Sequence, residues 1–142
     1  MAGRTGAPAA LLDSGVLIAV LLRNDPYHAE AVRWFAGFRG VIHTTDAVLT
    51  ETAFFVSASL RSRLAELAAG GVLHVHGLDA AAHARMADLF RKYADQDPDW
   101  ADLALVCLAE RLGVARIATL DITDFGVYRI NGRKRFELEL LR

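Results

Sequence analysis

Short apolar runs alternate with helix-length stretches along nearly the whole chain, and this alternation is what most restricts its fold. Ala9 to Leu12, Val41 to His43, Val72 to Val75 and Ile117 to Leu120 each read as a short buried strand. Between them, Val16 to Leu22 suits a buried helix, and Tyr27 to Phe38 sets Ala31, Trp34, Phe35 and Phe38 at helical spacing. Asp46 to Leu60 and Arg61 to Ala69 read as two helices, the second ended by Gly70-Gly71. Asp79 is placed to cap a helix running to about Tyr93. Asp97-Pro98 breaks the chain, and Asp99 to Leu112 forms a helix that Gly113 stops. Val127 to Ile130 and Phe136 to Leu140 flank Asn131-Gly132, a hairpin turn signal. Apolar strands separated by helices predict an α/β fold, a parallel sheet with helices on both faces.

The 142 residues suit one domain, 1–142, with a loose N-terminal leader at 1–8. Hydrophobic residues make up 54% and charged residues 23%, which excludes a disordered chain. The formal net charge of −1 excludes a polycation that grips nucleic acid by bulk charge. The single cysteine excludes a disulfide framework and a Cys-rich zinc site. Asp13 interrupts the apolar stretch from Ala7 to Leu22, and Arg23-Asn24-Asp25 follows it, which argues against a secretory signal. Lacking a long apolar run as well, the chain is expected to be soluble and cytoplasmic.

Four acids stand where a carboxylate is costly without a task. Asp13 directly follows the first strand and Asp121 the strand ending at Leu120. In open α/β sheets, ligands bind in the crevice beyond the carboxyl ends of strands. Glu51 interrupts an apolar stripe formed by Ala47, Val48, Phe54 and Phe55. Asp102 opens a helix that is apolar all round for two turns, in the first turn, where the helix dipole favours an anion. Asp99 reads as that helix's N-cap, accepting from the Asp102 backbone N–H, with a secondary role as a metal ligand. Brought together, these acids would repel, and some would take up protons. A hard divalent cation resolves the repulsion; oxygen-only ligands suit Mg²⁺ or Mn²⁺. The chemistry implied is metal-assisted hydrolysis of a phosphodiester.

Four segments together are similar to the PIN-domain ribonucleases of the VapC toxin type, from bacterial toxin–antitoxin pairs. They are Leu11-Leu-Asp-Ser-Gly-Val-Leu-Ile18, Thr44-Thr-Asp-Ala-Val-Leu-Thr-Glu51, Asp99-Trp-Ala-Asp-Leu-Ala-Leu-Val106 and Ala118-Thr-Leu-Asp-Ile-Thr-Asp-Phe125. The resemblance implies a three-layer α/β/α fold around a central parallel sheet, and a Mg²⁺- or Mn²⁺-dependent endoribonuclease. It further implies inhibition by a cognate antitoxin and a homodimer. By position, the catalytic and metal-binding acids of the family fall on Asp13, Glu51, Asp102 and Asp121, with Ser14 and Thr119 supporting them. Asp124 is a further outer-shell candidate. In that family the first strand often begins almost at the initiator methionine, whereas a leader precedes it here. Trp100 stands where a smaller apolar residue is usual. A catalytically inert module of the same fold, binding RNA or a protein, is the alternative.

Other polar residues read more plainly. Arg133, Lys134 and Arg135 beside Phe136 are candidates for steering RNA, as are Arg91 and Lys92. His74 and His76 share one strand face, but no further soft ligand accompanies them in sequence. His28 reads as a capping or surface residue and Cys107 as core. Tyr27, Trp34, Phe35 and Phe38 read as helix packing or partner contacts. A receiver-like domain would need an acidic pair after the first strand, and a haloacid-type phosphatase an aspartate where Gly15 stands; neither pattern is present.

Overall fold

The computed structural model describes residues 8–139, so most of the leader at 1–8 and the last residue of the Phe136–Leu140 segment lie outside the described residues. The first half of the chain runs β1 (Ala9–Leu12), α1 (Ser14–Leu21), α2 (His28–Gly37), β2 (Val41–Thr45), α3 (Asp46–Phe54), α4 (Ala58–Ala69) and β3 (Leu73–His76). The second half runs α5 (Ala80–Lys92), α6 (Trp100–Leu112), β4 (Arg116–Ala118), α7 (Ile122–Val127), β5 (Arg129–Ile130), β6 (Lys134–Arg135) and β7 (Glu137–Glu139). Five strands form one sheet in the order β3-β2-β1-β4-β7, and every neighbouring pair in it is parallel. Helices flank this sheet in the expected three-layer α/β/α arrangement.

The strand order reverses at β1. The chain steps from β1 outward to β2 and β3, then returns to β4 on the other side of β1. Ligand crevices of open parallel sheets form at such a reversal, outside the carboxyl ends of the two strands. Here those ends are Leu12 and Ala118, which are register partners. The Asp13 backbone N–H donates to the Ala118 carbonyl at 3.1 Å and carries the pairing one residue further.

Helix α6 is the central element, as its sequence demanded. Every residue from Ala101 to Ala109 is buried, Asp102 among them. The helix packs on β2, α3 and α5. Its start and stop match expectation: the Asp99 side chain accepts from Asp102 N–H at 2.8 Å, and Gly113 closes the helix at φ 68°. Cys107 is buried in it, and burial pushes its thiol up to about 11, consistent with a core residue.

Most boundaries shift by one or two residues, and three of the differences have a clear physical reason. The break between the third and fourth helices falls at Phe55–Ser57, not at Leu60–Arg61. The carbonyls freed there are taken by a distant side chain, since Arg61 Nη1 donates to Val56 O at 2.7 Å and Ala53 O at 3.3 Å. The fourth strand of the chain ends at Ala118, two residues early, because the Thr119 hydroxyl takes over the bonding. The hairpin turn at Asn131-Gly132 is present, with φ of 53° and 71°. It joins β5 to β6, however, so residues 122–127 are helical and Phe136–Glu139 is not the hairpin's second arm. Phe136 is buried between the two pairings, and β7 lies parallel to β4 at the sheet edge.

Gly40 shows how closely β1 and β2 are entered. A Cβ there would lie 2.0 Å from the Pro8 carbonyl oxygen, which accepts from the Val41 N–H at 2.8 Å. Gly40→Ala is expected to lower stability by about 1–3 kcal/mol through this overlap. Gly37→Ala, which meets no atom within 4 Å, should be neutral or mildly stabilising. Thermal unfolding of the two variants against the parent measures the difference.

Candidate active site

The ends of β1 and β4, the starts of α1, α6 and α7 and the second turn of α3 deliver the acids to one place. Asp13, Ser14, Glu51, Asp99, Asp102 and Asp121 all line a single hollow of about 370 Å³. The four principal acids that the sequence singled out therefore converge, together with Asp99 and Ser14.

Each acid is held by a specific partner. Asp13 caps α1: its Oδ1 accepts from Ser14 N–H at 2.8 Å, and its Oδ2 accepts from the Thr119 hydroxyl at 2.8 Å. Thr119 is fully buried and also accepts from Asp121 N–H at 2.9 Å, so one hydroxyl couples the acids that follow β1 and β4. The Ser14 hydroxyl donates to Glu51 Oε2 at 2.6 Å and draws the half-buried glutamate toward the hollow. Asp121 caps α7 by accepting from Asp124 N–H at 3.0 Å. Thus Ser14 and Thr119 sit where supporting groups were expected.

Tyr128 is a residue the sequence reading missed. Its ring is fully buried, and its hydroxyl donates to Asp102 Oδ2 at 2.9 Å. Phe125 and Tyr93 pack edge-on against it at ring distances of 5.2 and 5.1 Å. No periodicity links positions 102 and 128; the only sequence sign was a tyrosine, which needs a partner for its hydroxyl when buried, just beyond the apolar Phe125.

The electrostatics follow from crowding without solvent. Burial, with Glu51 and Asp99 nearby, pushes Asp13 up to about 6, against the lowering effect of its bonds from Thr119 and Ser14. Burial and then the charges of Asp99 and Asp13 push Asp102 up to about 8. Asp124 is also raised, by partial burial and by its bond and charge contact with Asp121. Asp102, Asp121 and Asp124 each offer a carboxylate oxygen within 4.8 Å of the others. Oxygen donors alone, mutually repelling and partly protonated, form a group able to hold a hard divalent cation. Asp124, a secondary candidate from sequence, thereby joins the tightest part of the cluster.

Other candidates lie elsewhere. Arg133, Lys134 and Arg135 are exposed on the β5–β6 hairpin and do not line the acidic hollow. That hairpin is fastened to α6 by Asn131 N–H donating to Glu110 Oε2 at 2.7 Å. Glu110 stands eight residues along the helix from Asp102, about 12 Å of rise. His74 and His76 do gain a soft companion: parallel register sets His43 beside them, with His43 Nδ1 and His76 Nε2 at 2.8 Å. His28 Nδ1 bonds the Ala19 carbonyl at 2.7 Å, a packing role. Trp34 stacks on Phe38 at 5.1 Å and its indole N–H donates to Glu139.

Two outcomes follow from the raised carboxyls. The folded chain binds their protons more tightly than the unfolded chain does. Its metal-free stability should therefore fall as pH rises from about 4 to about 8. A drop in Tm of roughly 5 °C or more across that range is expected, and Mn²⁺ should restore more of it at pH 8 than at pH 5. Asp102→Asn should flatten both dependences in a thermal-shift series. Tyr128→Phe should weaken Mn²⁺ binding roughly 10-fold by calorimetry, since the hydrogen-bond partner of Asp102 is removed.

Comparison with known proteins follows the same lines. The PIN domain family model matches residues 10–129. Ribonuclease VapC26 of Mycobacterium tuberculosis is 29% identical over 130 residues, covering 89% of this chain and 96% of its own. Among solved structures, Mycobacterium tuberculosis VapC20, a Sarcin-Ricin loop cleaving toxin, matches with TM-score 0.72 at 17% identity, over 76% of this chain and 86% of its own. VapBC2 from Rickettsia felis, bound to a DNA fragment from their promoter, matches with TM-score 0.62 at 16% identity, over 92% of this chain and 97% of its own. At such identities the structural matches establish the fold, and the family model covers most of the sequence. The chain belongs to the PIN domain family.

Proposed function

We propose that the chain is a metal-dependent endoribonuclease, the toxin of a VapBC-type pair, hydrolysing RNA phosphodiester bonds at the acidic hollow. The single observation that carries this reading is the convergence of Asp13, Glu51, Asp102 and Asp121 on one open hollow at the strand-order reversal. The likeness to Ribonuclease VapC26 supports the same reaction.

Asp102, Asp121 and Asp124 would hold a Mg²⁺ or Mn²⁺ ion, with Asp13 and Glu51 completing the acidic wall and Asp99 at its rim. When bound, such an ion supplies positive charge to the phosphoryl group and lowers the pKa of water. The chain's own residues supply order. Thr119 fixes Asp13 against Asp121, Ser14 fixes Glu51, and Tyr128 fixes Asp102. Fixed carboxylates need no rearrangement as charge develops during attack, which is where preorganisation lowers a barrier. Glu51 and Asp13 remain as acceptors for a proton from attacking water. Hydrolysis by this route leaves a 5′-phosphate and a 3′-hydroxyl.

A cognate antitoxin and a second copy of the chain are the partners we infer. Two of the structural neighbours are VapBC assemblies. Phe54 and Phe55 stand 84% and 58% exposed at the end of α3, an apolar surface of the sort that partner contacts cover. No described helix is long and apolar enough to cross a membrane.

Asp13→Asn and Asp121→Asn should each abolish Mg²⁺-dependent RNA cleavage, by 100-fold or more on the order of magnitude of a lost catalytic group, while circular dichroism stays native. Full activity in the double variant would refute the site. Absence of carboxylate-dependent Mn²⁺ binding in the parent would favour an inert binding module.

A further inference from the structure

A second cavity, of about 580 Å³, opens beside the acidic hollow, and Glu51 belongs to the walls of both. Trp100 forms part of this second wall. It is 57% exposed, although α6 is buried from the next residue onward. The ring is nonetheless held in place, with His83 and Phe90 rings at 6.0 and 5.9 Å. Trp100 opens α6 between Asp99 and Asp102, so one backbone turn aims both the indole and the acids.

We propose that this cavity is a nucleobase subsite, in which the base of a nucleotide next to the scissile phosphate stacks on Trp100. The inference rests on the ribonuclease reading and extends it to a site of recognition. An acidic hollow offers a polyanion little attraction beyond the cation it holds, and a net charge of −1 adds none. The basic hairpin at Arg133–Arg135 contributes to neither cavity wall. No described arginine or lysine lines either wall, Arg111 reaching only the Gly77 carbonyl at 3.1 Å, so grip close to the acids needs a contact that does not rest on charge alone. Stacking on a fixed aromatic ring is such a contact and accepts any base by its π-face. Thr45, Thr50 and Asp46 give the rest of the wall its polar groups, and Ala47, Leu78 and Ala101 its apolar surface. His76 lines the same cavity, with its Nε2 at 2.8 Å from His43 Nδ1.

The test uses the full chain and a mixed-sequence single-stranded RNA octamer. In the Asp13→Asn background, with Mg²⁺ present, the octamer should quench tryptophan emission, and adding Trp100→Ala should remove the quench although Trp34 remains. In the chain with all its acids, Trp100→Ala should raise KM for cleavage roughly 5- to 150-fold, the range of one base–aromatic stack, with a smaller change in kcat. Trp100→Phe should recover most of the loss, and calorimetric Mn²⁺ binding should be unchanged in Trp100→Ala, which separates recognition from misfolding. Unchanged KM in Trp100→Ala, or an octamer that binds without altering Trp100 emission, would overturn the subsite. Failure of the parent to cleave while the Trp100-dependent quench persists would strike the nuclease reading and support the base subsite.

Discussion

Carboxylates from separate stretches of the chain are pressed into one hollow, and their mutual repulsion has to be balanced by the rest of the site. Asp13 and Asp102 are each only 6% exposed, which denies them the water that would screen their charges. The chain answers locally with hydrogen bonds: two to Asp13, one to Glu51 from Ser14, and one to Asp102 from Tyr128. These bonds do not offset burial and the neighbouring charges, since Asp13 and Asp102 stay raised to about 6 and about 8. An acidic group of this kind could hold a cation, which would offset the charge that burial leaves unscreened.

The architecture explains why so many elements meet there. Strand order reverses at β1, so the helices that follow β1 and β4 diverge and leave a crevice. Asp13, directly after β1, and Asp121, three residues after the end of β4, face into it without any loop of unusual length. Helix α6 supplies the buried floor, and its first turn brings Asp102 from the apolar interior to the crevice. Thr119 acts as the keystone, because one buried hydroxyl donates to Asp13 and accepts from Asp121. Beside this crevice, the first residue of the same helix faces solvent as Trp100, which links the acidic hollow to the cavity proposed for a base.

Much of this was legible from residues in order, and the exceptions share a cause. Asp99 as the cap of α6, Gly113 as its stop and the buried stretch between them follow from local rules of helix ends and apolar content. The early end of the third helix did not follow. No glycine or proline marks Phe55–Ser57, and the freed carbonyls are met by Arg61 from the next helix. Residues 122–127 were passed over as a helix because the cap that starts it is Asp121, already read as a ligand. His43 went unnoticed beside His74 and His76 because only the register of β2 on β3 makes them neighbours.

The sequence by itself determined the fold class and the four principal acids, because both are written in local patterns: apolar runs too short for anything but strands, and carboxylates at strand ends or within apolar helical faces. Tertiary structure alone decided which groups hold those acids, that Asp124 joins Asp102 and Asp121, and that Arg133, Lys134 and Arg135 lie away from them. Tyr128 meets Asp102 across 26 residues and Thr119 meets Asp13 across 106. Contacts of that span are set by how strands register and helices cross, quantities to which no single stretch of chain has access.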